Sequence, residues 1–153
     1  MPTPAAGLVA LALLAAPAGA HALGAEPCGG RVGIDDLVEP WAETSATFAE
    51  GEVRVALIDF VEPAGGPFHL ALITPPRDEL GLRQCLLITR EGALGWWSLD
   101  FETLEAVYDP ATGLTFTIEG ATPLPDESAF PPVRVTVTLN QATGQITVTE
   151  EPA

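Results

Sequence analysis

Residues 133–149 read VRVTVTLNQATGQITVT, two runs of alternating apolar and polar residues with a short link between them. The apolar side chains of the first run fall on one face: Val133, Val135, Val137 and Leu139. Strict alternation with β-branched residues indicates strands that bury one face and leave the other in water. The link ends in Gly144, which can adopt the left-handed conformation that hairpin loops require. The stretch therefore predicts a β-hairpin.

A second hairpin with the same turn chemistry is predicted earlier in the chain. Residues 108–119 read YDPATGLTFTIE, so the triplet ATG again precedes an alternating run. Pro110 presets the dihedral angle at the second position of a turn, and Gly113 ends the turn. The two segments share little beyond the turn, which indicates a recurrent turn and not a duplicated domain. The alternate threonines of both hairpins are typical of the wet face of a sheet.

Three earlier runs are apolar almost throughout, and they lie at residues 53–60, 68–74 and 84–89. Continuous apolar content indicates burial on both faces, so we expect these runs to be central strands. A further short strand is predicted at residues 45–48, with a turn at Glu50 and Gly51.

Helical patterns are few beyond residue 22. Residues 34–41 carry early acidic side chains that suit the start of a helix, although Pro40 limits its length. Residues 101–108 have apolar residues at helical spacing, with Asp100 as a candidate cap, but the same residues lead into a hairpin turn and could form a strand. The predicted fold is mainly β: an antiparallel sandwich or strongly curved sheet of about 7–9 strands with one or two short helices.

The first 22 residues are predicted to be a secretory signal peptide. An apolar run at residues 5–16 is followed by small-residue A-x-A sites, which predict cleavage after Ala20 or Ala22. Residues 23–153 would then form a single β-rich domain in the periplasm or outside the cell, with no integral membrane segment left. The short signal and the absence of lysine, a sign of GC-rich coding, indicate a bacterial source.

The charge of the chain excludes several kinds of partner and chemistry. The formal net charge is -15, from 21 acidic and 6 basic residues, and all six basic residues are arginines. Nucleic acids and anionic membrane surfaces require positive patches, so neither is expected as a partner. Without lysine, the chain has neither a lysine for a Schiff base nor the lysine that a P-loop uses to bind phosphate.

The two cysteines, Cys28 and Cys85, are predicted to form one disulfide bond. An even count in an exported chain is most simply a structural bridge. A reactive thiol pair would need a close spacing or electropositive neighbours, and the sequence shows neither. The bond would tie the N-terminal end of the domain to a predicted central strand.

Trp96 and Trp97 are adjacent in a chain with three tryptophans. On a strand their side chains would point to opposite faces, so at most one can lie in a given core. One interpretation places one indole in the core and the other under the short helix that follows. The other interpretation has one indole lining a small cleft for an apolar or carbohydrate ligand.

Neither a metal site nor a cofactor site is predicted. His69 is the one histidine outside the predicted signal, so a zinc ligand set cannot be assembled once the cysteines are bridged. No calcium-loop pattern and no serine nucleophile motif occurs. His69 is also a weak binding candidate, although in an apolar strand a buried structural histidine is the more common outcome.

The sequence thus predicts a small exported, disulfide-bridged β protein without catalytic residues. We expect a binding or interaction module of the bacterial envelope, with an envelope protein or a small apolar or carbohydrate ligand as its partner. Trp96, Trp97 and His69 are the candidate binding residues. The alternative is a periplasmic hydrolase whose site combines scattered carboxylates with His69.

Overall fold

The computed structural model describes residues 23–61, 66–90, 94–123 and 129–153, which form two antiparallel sheets. The nine strands are β1 (Gly24–Pro27), β2 (Ser45–Phe48), β3 (Val53–Asp59), β4 (Phe68–Arg77), β5 (Arg83–Thr89), β6 (Ser98–Asp109), β7 (Gly113–Ala121), β8 (Pro132–Leu139) and β9 (Ile146–Pro152). The predicted signal peptide lies outside the described residues. Among the described residues, no helix is long and apolar enough to span a membrane.

The two sheets pack face to face as a β-sandwich. One sheet has the order β1-β5-β4-β3-β2 and the other the order β6-β7-β8-β9. Both sheets contribute alternate residues to one core, whose largest buried side chains include Leu70, Leu72, Trp96, Phe116 and Leu139. The mainly β fold predicted from the alternating runs is therefore confirmed. The three apolar runs became β3, β4 and β5, the central strands of the five-stranded sheet, as expected.

The two ATG turns form hairpins as predicted. Gly113 has φ +107° and Gly144 has φ +73°, both in the region that favours glycine. A Cβ atom at Gly113 would also lie 2.2 Å from the carbonyl oxygen of Leu139, so this position excludes any side chain. On the outer face of the four-stranded sheet, the alternate threonines stand opposite one another across three strands: Thr115–Thr138–Thr147 and Thr117–Thr136–Thr149.

Of the two alternatives left open for residues 101–108, the strand is correct and the helix is not, because these residues belong to strand β6. The register between β6 and β7 shifts between Asp100 and Glu105, where the hydroxyl of Thr103 accepts a hydrogen bond from the backbone N–H of Glu119 at 2.9 Å. The predicted helix at residues 34–41 shortens to a single 3-10 turn, Ile34–Asp36. A second 3-10 turn, Ala49–Gly51, follows the confirmed strand at residues 45–48.

The predicted disulfide between Cys28 and Cys85 is present, with an S–S distance of 2.07 Å. The backbone N–H of Cys28 also donates to the carbonyl oxygen of Cys85 at 2.9 Å. The bond thus joins the end of β1 to β5, its neighbour in the sheet. Strand β1 itself was not predicted, because its four residues carry no alternating pattern.

Candidate functional site: an apolar cleft on the five-stranded sheet

The outer face of the five-stranded sheet has a row of small side chains at its centre. Ser45, Ala56 and Ala71 stand opposite one another on the adjacent strands β2, β3 and β4. Larger side chains flank this row, with Ile58 on one side and Ile73 on the other, so the row forms the floor of a depression. The concave shape therefore follows from three small residues brought into register by strand pairing.

The segment between β1 and β2, residues 29–44, crosses this face and closes one side of the depression; we call it the outer loop. It contributes Val32, Leu37 and Trp41 to the lining. The disulfide fixes its start, since Cys28 precedes the loop and Cys85 lies in the cleft wall. An isolated bridge between Leu37 and Ile58 attaches its middle to β3.

Side-chain hydrogen bonds hold the second half of the outer loop. The hydroxyl of Thr44 donates to the carbonyl oxygens of Val38 and Pro40. The hydroxyl of Ser45 donates to the carbonyl oxygen of Trp41 at 2.7 Å. These bonds fix the backbone that carries Trp41 at the cleft, where the residue is 48% exposed. The wall of the cleft is therefore preformed.

The resulting outer cleft has a volume of about 240 Å³. Its lining is apolar except for Thr44, Ser45 and Arg54, and Arg54 is its one charged side chain among the described residues. Binding sites for small molecules are typically apolar concavities with a few polar groups that orient the ligand, and their volumes run from about 300 to 1,000 Å³. The outer cleft has this composition at a smaller size, which suits a small ligand or one part of a larger one.

Trp96, a predicted binding candidate, lies in the core between the sheets with 0% of its surface exposed. Its indole Nε1–H donates to Glu150 Oε2 at 2.7 Å, and the same oxygen accepts from Arg90 Nε at 3.1 Å. The indole N–H thus has the partner that a buried tryptophan requires. Trp96 therefore corresponds to the core position that one interpretation of the tryptophan pair predicted.

Trp97 lies on the surface, where 40% of it is exposed. Its ring stacks on that of Phe130, with 4.0 Å between centroids and 11° between planes. Residues 101–108, the expected covering helix, form strand β6 instead, and Phe130 takes the covering position. Since one face of each ring is occupied by the other, this pair is a flat aromatic patch and not a cleft.

His69 is 1% exposed and lies on the outer face of the five-stranded sheet, opposite Ile58. Its Nδ1 donates to the carbonyl oxygen of Pro67 at 3.0 Å, and its ring contacts that of Phe60 edge to face. A buried histidine bonded to backbone is the structural outcome expected for an apolar strand. This placement disfavours the hydrolase hypothesis, which needs an imidazole that a substrate can reach.

Among the described residues, the acidic side chains form no comparable site. Within the described part of the chain, no group of three histidine, cysteine, aspartate or glutamate side chains could hold a metal ion. Glu105 and Glu119 line a polar hollow on the outer face of the other sheet, together with Arg134. His69 lies on the opposite outer face of the sandwich, so the structure does not bring these carboxylates to it.

The residues that form the outer cleft were not predicted from the sequence, notably Trp41, Arg54, Ala56 and Ala71. One signal was present: the central runs contain VALI at residues 55–58 and LALI at residues 70–73, each with an alanine among large residues. Small residues at outward positions of two central strands indicate a depression once the strands are paired. That pairing depends on the tertiary structure.

Comparisons with known proteins do not assign this chain to a family. No protein-family model, no curated protein and no solved structure matches it significantly. Function therefore has to be inferred from the chemistry of the outer cleft.

Proposed function

We propose that this protein is a non-catalytic binding module that takes a small apolar ligand, or the apolar part of a larger one, in the outer cleft. The observation that carries the proposal is the depression formed by Ser45, Ala56 and Ala71 under the preformed outer loop. Burial of apolar ligand surface there would supply the affinity, at roughly 25 cal/mol per Å². The exposed indole of Trp41 at the cleft adds a large apolar contact.

We further propose that the module works in the periplasm or outside the cell, as part of the bacterial envelope. The Cys28–Cys85 disulfide supports this location, because such bonds persist mainly in oxidising compartments. The apolar run at residues 5–16 supports it as an export signal. The alternative hydrolase would need His69 at a surface that a substrate reaches, and the burial of this residue disfavours it.

Binding to the neutral dye N-phenyl-1-naphthylamine tests the cleft. The wild-type protein is expected to give a saturable rise in dye fluorescence at one site per chain. Ala71→Leu, which places a larger side chain on the floor, is expected to weaken dye binding about tenfold or more, because a filled depression leaves no room for the ring. Ala142→Leu, the same change in an exposed turn, should leave the affinity unchanged.

The melting temperature of each variant separates loss of the site from loss of the fold. If Ala71→Leu does not fold, Ala56→Leu fills the neighbouring floor position and serves as the second test. Wild-type protein that binds no dye, or a folded floor variant that binds it with unchanged affinity, would rule out the outer cleft as the binding site.

Export is tested by the mass of the protein isolated from its own host. The denatured, unreduced protein is expected to begin at His21 or Leu23 and to weigh two hydrogens less than its reduced form. Thiol labelling of the denatured protein before reduction gives the matched measurement and should find no free cysteine. A mass that includes residues 1–20, or two reactive thiols, would contradict export.

A further inference from the structure

We infer that the ligand of the outer cleft is a small apolar anion, with its carboxylate at Arg54 and its hydrocarbon or aromatic body over Ala56 and Ala71. This inference rests on the proposed binding function, for which it names the ligand class. Arg54 lies on β3 in the row next to the cleft floor, opposite Thr47 on one side and Ile73 on the other. Arg54 is exposed to solvent and lines the cleft, so its guanidinium can meet a charged group there.

Arg54 differs from the other arginines in its contacts. Four of them form ion pairs with carboxylates, and one donates to backbone carbonyl oxygens: Arg31–Glu26, Arg77–Glu52, Arg90–Glu150, Arg134–Glu119, and Arg83 to Gly51 and Glu52. In the described parts of the chain, Arg54 has neither a hydrogen bond nor an ion pair. It therefore keeps all its N–H donors for a ligand or for water.

The surroundings of Arg54 are unusual for so acidic a chain. Although the sequence has 21 acidic residues, no carboxylate is among the described residues that line the outer cleft. Distant carboxylates are screened beyond about 8 Å at physiological ionic strength. Among the described lining residues, Arg54 is therefore the charged group that an anion in the cleft could contact directly.

The two parts of the cleft, Arg54 and the apolar floor, bind different chemical groups, and together they define the ligand. A guanidinium offers a planar fork of donors that matches a carboxylate with two parallel hydrogen bonds. The alanine floor and Trp41 line the same cleft as Arg54. A monocarboxylate with one apolar chain or ring satisfies both parts, whereas a neutral sugar leaves the guanidinium without a charged partner.

Octanoate and 1-octanol test the inference, because they share a hydrocarbon chain and differ in charge. Each is titrated into the protein loaded with N-phenyl-1-naphthylamine, and displacement of the dye gives its affinity. Octanoate is expected to bind about tenfold more tightly than 1-octanol, and Arg54→Gln is expected to remove this difference. Arg134→Gln, which removes one positive charge from the other sheet, should leave both affinities unchanged.

The outcomes separate the two proposals. If Arg54→Gln still binds the dye but loses the preference for octanoate, while Arg134→Gln keeps it, the ligand class is established at Arg54. If the dye binds and both compounds displace it equally in wild type, the cleft binds apolar groups and the anion inference is overturned. If no dye binds the folded wild type, the proposed function fails. Added salt should weaken octanoate binding and leave 1-octanol binding nearly unchanged.

Discussion

Replacing Trp96 by alanine is expected to lower the free energy of unfolding by about 3–5 kcal/mol, whereas the same replacement at Trp97 should cost about 1 kcal/mol. The two residues are identical and adjacent, but their surroundings differ. Trp96 is fully buried between the sheets, and Trp97 touches Phe130 at the surface. Urea unfolding of both variants measures the difference directly.

The large effect at Trp96 has two physical sources. Removal of the indole loses the free energy of transferring it from water into the core. It also leaves a cavity in a core to which both sheets contribute, and this cavity destabilises the fold further. Trp96 also connects the sheets: its backbone N–H and carbonyl pair with Phe68 of β4 at 2.9 and 3.1 Å, and its indole donates to Glu150 of β9. The alanine variant retains the backbone bonds but loses the bond to Glu150.

Trp96→Phe separates these two sources, because phenylalanine fills most of the space and lacks the N–H. We expect it to cost about 1–3 kcal/mol, since the half-buried carboxylate of Glu150 keeps Arg90 as a partner but loses one donor. Equal losses of stability at Trp96 and Trp97 would contradict the assignment of one indole to the core. If Trp96→Ala does not fold, the loss of stability in Trp96→Phe is compared with the loss in Trp97→Ala.

Much of the strand arrangement could be predicted because alternation is a local property. The runs that became β3, β4 and β5 are apolar on both faces, since one face meets the other sheet and the outer face is partly covered by the outer loop. Ile58 and Leu87 belong to this second cluster, with Leu37 of the outer loop packed against it. Continuous apolar content therefore indicated central strands correctly.

The choice between helix and strand stayed open at residues 101–108 because a strand with an irregularity can imitate helical spacing. In β6 the register shift between Asp100 and Glu105 changes the phase of the alternation. Phe101, Leu104 and Ala106 all pack against the core despite their uneven spacing. In the sequence, this spacing of three residues and then two is compatible with a helix or with an irregular strand. Pairing with β7 decided in favour of the strand.

The candidate site was less predictable than the fold, because it depends on strand register. Adjacent residues of a strand point to opposite faces, so the sequence predicts that the indoles of Trp96 and Trp97 lie on different sides. Which of the two indoles enters the core depends on tertiary packing. Ala56 and Ala71 are directly opposite each other only because β3 and β4 pair in this register. The lack of a partner for Arg54 likewise depends on where every described carboxylate lies.

Removing the disulfide by the double replacement Cys28→Ala and Cys85→Ala is expected to lower the free energy of unfolding by about 4 kcal/mol. The two cysteines are 57 residues apart, and a bond across so long a loop restricts the unfolded chain strongly. Urea unfolding of the oxidised wild type and the double variant gives the difference. Reduced wild type should match the variant, and the reductant should have no effect on the variant.

The same variant links the disulfide to the outer cleft. Without the bond, the start of the outer loop loses its covalent tie to β5, while the Leu37–Ile58 bridge still attaches its middle to β3. We therefore expect the sheets to remain folded and the affinity for N-phenyl-1-naphthylamine to fall about threefold to tenfold, because a freer wall must be ordered on binding. If stability falls and dye affinity does not, the bond acts on the unfolded chain alone and the wall of the cleft is held by its hydrogen bonds.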